Sequence, residues 1–320
     1  MRKRQLLAVA IALAAFGAHA DNWPSRPITL VVPSAPGGST DVSARLIGEP
    51  LARALGQPVV IDNKPGASGN LGTEAVARAA PDGYTLLMQY SGYHVGNPAL
   101  FAQIKWNPVK DFAPVALVMR APHVLAVSGT LPVGNVNELA AYGQKNGKGL
   151  FYASSGNGSI QHIAGELLAR QLKIPLTHVP YKGAGPAVND LLGGQVDIFV
   201  TTPPSVIGHV NGGRIKALAY TADKRHPSMP SVPTSAEAGL PGYLVDSWFA
   251  VFAPAKTPPE IVGRLTAEIK TIVESDTYRK KMDEQGAFAA YMDPPALGRF
   301  INYELELWSR VIKSANIKAD

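Results

Sequence analysis

The chain of 320 residues contains no cysteine, and this one absence removes disulfides, thiolate metal sites and cysteine nucleophiles together. It suits an oxidising compartment, where a lone thiol is a liability. Charge is sparse as well, at 17% of residues, with no block of five like charges. The densest basic run, Arg279-Lys280-Lys281, is followed closely by Asp283 and Glu284 and reads as a solvated helix face, not a nucleic-acid patch. Beyond the N-terminus no run of 18 apolar residues appears, so no later membrane span is expected.

Catalytic signatures are missing in the same way. The seven histidines form no H-x-x-x-H or H-E-x-x-H pair, and the acids do not join them at metal-ligand spacing. There is no G-x-x-x-x-G-K-[ST] loop for nucleotide phosphates. Gly156-x-Gly158 has Gln161 where a dinucleotide fingerprint needs its third glycine. Gly66-Ala67-Ser68-Gly69 brings its second glycine one place too early for a nucleophile elbow. The expectation is a protein with no metal, no cofactor, no nucleic-acid partner and no catalytic residues.

What is present begins with a leader. Arg2, Lys3 and Arg4 precede an apolar stretch from Leu6 to Phe16 and then Ala18-His19-Ala20, the pattern of a secretory signal peptide over residues 1–20, cleaved after Ala20. Its apolar part is short of the ~20 residues that span a bilayer. Removing it leaves 27 Lys+Arg against 24 Asp+Glu, a formal charge of +3 in place of +6. The mature chain is expected in the periplasm, soluble and monomeric. At about 100 to 200 residues per domain, its length suits two domains, and its 31 glycines and 27 prolines are scattered among many loops.

Apolar β-rich runs alternate with helix-like segments, the pattern of an α/β fold with mostly parallel sheets. Strands are predicted at 28–32, 59–62 and 84–90, with helices from about Asp41 and over 70–80. A second unit is predicted from His123, with strands at 124–127, 151–153, 178–179, 196–201 and 215–220 and helices over 136–143, after 160 and over 186–192. A strand at 248–252 and helices over 259–274 and 295–314 follow. No repeat of 20 to 50 residues is visible.

Three loops join a strand to a helix start and carry glycine with hydroxyl residues: Ser34 to Asp41, Ser154 to Ser159, and Tyr181 to Gly185. Backbone amides at such starts favour anions. Taken alone, the first loop is better accounted for by ordinary capping by Ser39 or Thr40, with Asp41 on the helix dipole. If the two units face one another, two such starts would enclose one carboxylate-bearing ligand with few arginines.

The residues Trp23-Pro24-Ser25-Arg26-Pro27-Ile28, Val32-Pro33-x-x-Pro36-Gly37-Gly38-x-x-Asp41, Asn63-Lys64-Pro65-Gly66-Ala67-Ser68-Gly69 and Pro81-Asp82-Gly83-Tyr84 resemble the Bug family. These are periplasmic solute-binding proteins of tripartite tricarboxylate transporters. The likeness continues through Ser155-Gly156-Asn157-Gly158-Ser159, Val179-Pro180-Tyr181-Lys182-Gly183, Gly193-Gly194-Gln195-Val196-Asp197 and Pro233-Thr234-x-x-Glu237-x-Gly239. It implies a two-lobed clamshell of the type II binding-protein class with two inter-lobe crossings, near Ala121-Pro122 and near Asp246–Trp248. Lobe one would hold residues 24–122 plus 248–320, and lobe two 123–247. Carried over by motif, the ligand-binding residues would be Ser34, Gly38, Ser39, Thr40 and Asp41 from lobe one, and Ser155, Asn157, Gly158, Ser159, Tyr181 and Lys182 from lobe two. Ser68 and the turn with Ser91, Tyr93 and His94 would be their neighbours.

The function so implied is capture of a small organic (di)carboxylate, aliphatic or aromatic, and its delivery to membrane transporter subunits. Tyr90, Tyr93 and Tyr181 would tolerate a ring, while two anion-friendly loops tilt the choice towards a dicarboxylate. A ligand-sensing receptor for a membrane sensor kinase and a periplasmic hydrolase are the alternatives.

Overall fold

The computed structural model describes residues 23–146 and 149–314; the leader expected over 1–20 lies outside the described residues. Two sheets organise the chain. The first, with order β11-β4-β10-β3-β1-β2, comprises β1 (Ile28–Val32), β2 (Val59–Asn63), β3 (Thr85–Tyr90), β4 (Phe112–Pro122), β10 (Asp246–Pro254) and β11 (Phe288–Met292). The second, with order β7-β6-β8-β5-β9, comprises β5 (Val124–Ser128), β6 (Leu150–Ser154), β7 (Leu176–Pro180), β8 (Ile198–Thr201) and β9 (Ile215–Tyr220).

Helix α1 (Ser39–Leu55) follows β1 at once, because Gly38 holds an extended cap and Ala44, Ile47, Leu51 and Leu55 form one buried face over the sheet. It ends at Gly56, whose φ of +69° is the left-handed stop that glycine adopts without strain. Helices α2 (Asn70–Ala77), α3 (Asn97–Leu100), α8 (Pro259–Glu274), α9 (Asp276–Glu284) and α10 (Pro294–Ser314) belong with the first sheet, and α4 (Val136–Lys145), α5 (Ile160–Leu172), α6 (Ala184–Leu192) and α7 (Ile207–Asn211) with the second. The chain passes from the first sheet to the second at His123 and returns between Tyr220 and Asp246.

The fold is thus the expected two-lobed α/β architecture, but its sheets are mixed rather than mostly parallel. β1 pairs in parallel with β2 and β3, and β6 with β7 and β8, whereas β10 is antiparallel to β3 and β4, β11 to β4, and β5 to β8 and β9. Helical crossovers enforce parallel neighbours within each unit. Strands that carry the chain between units, β4, β5 and β10, have no such crossover and run the opposite way.

β4 is the longest strand, at 11 residues, and no strand was predicted there. Pro114 and Pro122 signal a break in sequence, yet Pro114 falls beside a register shift with β10, the kind of irregular position at which a sheet accepts proline. The turn from Gly92 to Gly96 is a single wide helical turn of the π type.

Candidate functional site

The C-terminal ends of β1 and β8 point at each other across the space between the lobes, the usual place for a ligand in such sheets. A narrow cleft of about 10 Å³ lies there, lined by Ser34, Gly38, Ser39 and Thr40 from the β1–α1 loop, Tyr90, Tyr93 and Phe249 from the same lobe, and Ser155, Gln161, Gly183, Ala184 and Thr202 from the other. None of these lining side chains is charged.

Two helix starts meet at this cavity. Gly38 caps α1 and Gly183 caps α6, and neither helix start receives a side-chain cap bond. Their approach is close: a Cβ on Gly38 would lie 3.2 Å from the Ala184 Cβ and 3.4 Å from its amide nitrogen, and one on Gly185 would collide with the Pro36 carbonyl oxygen. Two positive helix ends held face to face repel unless an anion sits between them. Beside them the Ser34 hydroxyl is buried with no hydrogen-bond partner among the described residues, a condition that costs about 1–3 kcal/mol unless a ligand or water satisfies it.

The third helix start is different. Ser159 caps α5 by accepting from the His162 amide, the Ile160 amide donates to the Tyr90 hydroxyl (3.2 Å), and the Gly158 amide donates to His162 Nδ1 (3.0 Å). These donors are satisfied by the protein itself. Of the three loops that the sequence singled out, the one after β1 and the one from Tyr181 to Gly185 present uncapped helix starts, those of α1 and α6.

Direct bonds join the lobes around the cavity. Thr202 Oγ1 donates to Ser39 Oγ (2.6 Å), Tyr93 OH to the Ser155 carbonyl (2.8 Å), Tyr90 OH to Gln161 Oε1 (2.9 Å), and the Ala35 amide to the Lys182 carbonyl (3.0 Å). Burial pushes the Tyr93 hydroxyl up to about 12, against a smaller opposing effect of its bond at Ser155, so it is a neutral donor here. Tyr90 is likewise raised, by burial and then by Tyr93, whose ring meets it edge-on at 5.1 Å.

Among the expected site residues, Ser34, Gly38, Ser39, Thr40, Tyr93 and Ser155 line the cavity. The others stand elsewhere. Asp41 spends its carboxylate inside lobe one, accepting from the Gly37 amide, Asn63 Nδ2 and both Arg45 donors, and so builds the loop rather than facing the cavity. Ser91 Oγ accepts from the Trp248 amide. His94 is buried among Trp106, Phe112, Trp248 and Phe252, and burial drives it down to about 3, a neutral ring in an aromatic cluster. Gly158 and Ser159 are occupied in the α5 cap, and Asn157 is half-buried outside the lining. Tyr181 donates to Asp190 (2.6 Å), and Lys182 has an exposed side chain, contributing only its carbonyl to the inter-lobe bond. Ser68 lies at the rim, where a Cβ on Gly156 would come within 2.8 Å of its hydroxyl.

Tyr90, Gln161, Gly183, Ala184, Thr202 and Phe249 line the cavity without having been predicted as ligand residues. Thr202 was findable: it follows the end of β8 as Ser34 follows the end of β1, and residues just past parallel strands collect at ligand sites. Phe249 sits within the returning strand β10, where only tertiary pairing with β3 brings it to the cavity.

Ser154 and His178 form a serine–histidine pair at 2.6 Å, but Ser154 is fully buried, also bonds the Gly156 carbonyl, and lies outside the cavity lining. His178 stacks on His162 at 3.9 Å and is held down to about 3, by burial first and then by that neighbour. No group of three or more metal-ligating side chains occurs among the described residues.

Two lobes meeting over an uncharged, hydroxyl-lined cleft are the arrangement of a solute-binding protein. The chain belongs to the tripartite tricarboxylate transporter receptor family, whose model matches residues 43–317. It is 37% identical to protein BugT of Bordetella pertussis (strain Tohama I) over 324 residues, covering 99% of each chain. Among solved structures, the periplasmic binding protein BugD matches with a TM-score of 0.88 and 35% identity, covering 92% of this chain and 99% of that one. Rpa4515 of R. palustris with adipate matches with a TM-score of 0.89 and 39% identity, covering 92% and 99%. The family and its solved members are substrate-binding proteins, not enzymes.

Proposed function

We propose that this protein captures a small organic carboxylate, aliphatic or aromatic, between its lobes in the periplasm and presents it to the membrane subunits of a tripartite transporter. The observation that carries this reading is the pair of glycine-capped helix starts, α1 and α6, facing one another beside the unpartnered Ser34 hydroxyl. A carboxylate placed between them accepts amide and hydroxyl donors from both lobes at once. Because these contacts exist together only when the lobes are closed, binding shifts the population to the closed form by the difference in affinity between closed and open. The adipate held by Rpa4515 supports the ligand class.

On this reading the mature protein begins after Ala20 and is a monomer, with lobe one formed by residues 24–122 and 248–320 and lobe two by 123–247. Its binding set is Ser34, Gly38, Ser39, Thr40, Tyr93 and Ser155 together with Gln161, Ala184 and Thr202. A thermal-shift screen of the mature chain against aliphatic di- and tricarboxylates, aromatic acids, amino acids and sugars tests it. A ligand at about 100 times its dissociation constant adds about 2.7 kcal/mol, a shift of several degrees. Stabilisation confined to carboxylates is the expected result; stabilisation by sugars or amines alone would refute it.

A further inference from the structure

Under the loop from Ser154 to Ser159 lies a pair of imidazoles. His162, in the first turn of α5, and His178, on β7, stack face to face at 3.9 Å with 4° between their planes, and Tyr152 of β6 stacks on both. Each ring bonds the loop. The Gly158 amide donates to His162 Nδ1 (3.0 Å), and His178 Nε2 lies 2.6 Å from Ser154 Oγ, which accepts from the Gly156 amide. A backbone amide can only donate, so His162 Nδ1 must keep its lone pair for the loop to hold this shape. The same loop is where lobe two meets lobe one. Tyr93 OH donates to the Ser155 carbonyl (2.8 Å), a Cβ on Gly156 would lie 2.8 Å from the Ser68 hydroxyl, and one on Gly96 would lie 3.3 Å from the Gly158 carbonyl oxygen. Ser155 lines the cleft, and its hydroxyl donates to Gln161 Oε1 (2.8 Å).

We propose that His162 is an acid-operated release for this loop: a proton taken from solvent onto Nδ1 sets two N–H groups against each other at the Gly158 contact, the loop gives way, and the cleft loses the wall that carries Ser155. An imidazolium donates from both nitrogens and has no lone pair left for the Gly158 amide. The release rests on the reading of the cleft as the ligand site. The titratable groups packed around the pair are Tyr152 on β6, whose hydroxyl donates to Glu166 (2.7 Å), Glu166 itself, one turn beyond His162 on α5, Tyr243, whose hydroxyl donates to the Ala164 carbonyl, and Tyr93 from lobe one. Glu166 is the one carboxylate among them, and at this helical spacing it favours a cationic His162. A second proton on the stack is opposed, since His178 is held down to about 3 by burial and then by His162. Only molecules with a neutral His162 then bind, so the apparent affinity falls about tenfold for each pH unit below the midpoint of that titration.

Two measurements on the mature protein test it. Without ligand, proton–nitrogen correlation spectra recorded from about pH 7.5 to about pH 4.5 follow the Gly158 and Ser155 amides and the ring nitrogens of His162. Both amide signals are expected to move together with the protonation of His162 Nδ1. In His162→Asn, whose Oδ1 accepts the same amide and does not titrate, they are expected to stay in place. With adipate as the probe, calorimetry over the same range is expected to show wild-type affinity falling below that midpoint by about tenfold per pH unit relative to His162→Asn. The variant shares the titration of adipate itself and of the other buried histidines, so the ratio of the two affinities isolates His162. Amide signals that do not follow His162, or an affinity ratio constant across the range, would overturn the switch. No binding of adipate to wild type at pH 7.5 would overturn the ligand proposed above, and the spectra, taken without ligand, would still decide whether His162 releases the loop.

Discussion

His123 and Ser247, 124 positions apart in the chain, tie the two passages between the sheets together: His123 Nε2 lies 2.7 Å from Ser247 Oγ. The backbone amide of His123 donates to Thr221 Oγ1 (2.8 Å) and to the Val245 carbonyl (3.0 Å), so each strand that leaves one lobe is bonded to the chain returning to it. The two passages are thus cross-linked to each other rather than running as independent threads. Removing the hydroxyl in Ser247→Ala leaves a buried imidazole nitrogen unpaired. A loss of about 1–3 kcal/mol in unfolding free energy is expected, read from urea denaturation midpoints.

Acid should weaken the fold through the same residue. Burial lowers both His123 and His94 to about 3. In the unfolded chain they titrate near 6.5, so between those values the unfolded state binds the extra protons and stability rises with pH. The stabilising contribution is fully present above about 6.5 and is lost as pH falls from there towards 3. Thermal midpoints measured from pH 7.5 to 4 should decline. In His94→Phe, which keeps a ring in contact with Trp106, Phe112 and Phe252, the decline should be visibly shallower; an unchanged slope would exclude His94 as a source.

Gly38→Val should abolish binding while leaving the fold intact. The Gly38 backbone has φ −85° and ψ 167°, which valine adopts freely, so the substitution adds no local strain. Its side chain, however, would enter the gap to Ala184, where even a Cβ is 3.2 Å from the facing Cβ. A loss of about 100-fold or more in adipate affinity is expected, with a ligand-free melting temperature close to that of wild type. Normal affinity in the folded variant would show that the ligand does not sit between α1 and α6.

Asp41→Ala separates support from contact. The carboxylate is 6% exposed and holds the Gly37 amide, Asn63 and Arg45, while Arg45 itself is 55% exposed, so most of the value lies in the first two bonds. The variant should lose about 1–3 kcal/mol of stability and bind adipate more weakly, because the loop carrying Gly38 and Ser39 loses its internal brace. Arg45→Ala should cost less on both measures, which denaturation and calorimetry on the pair would establish.

Much of this was legible in the chain itself. The run Ile28-Thr29-Leu30-Val31-Val32, the turn through Gly37-Gly38 and the apolar spacing after it define β1, its loop and α1 locally, and the loop's glycines and hydroxyls announce an anion-friendly helix start. The strand ends at Thr201 and Tyr220 and the helix over 259–274 are likewise local matters of period and punctuation. Asp41 and His94, by contrast, have the composition of ligand residues and the partners of structural ones.

The sequence by itself determined the two α/β units, the family and the first half of the site, since each rests on residues adjacent in the chain. Tertiary structure alone decided the rest. Whether a helix start is open to a ligand depends on whether its amides find partners within the protein: Tyr90, 70 positions from Ile160, occupies the start of α5, whereas nothing comparable caps α1 or α6. The antiparallel course of β4 and β10, the tie from His123 to Ser247 and the bonds from Tyr90 and Ser155 to Gln161 are of the same kind. A hydrogen bond is chosen by distance in space, and nothing in the residue types along the chain records which distant hydroxyl arrives.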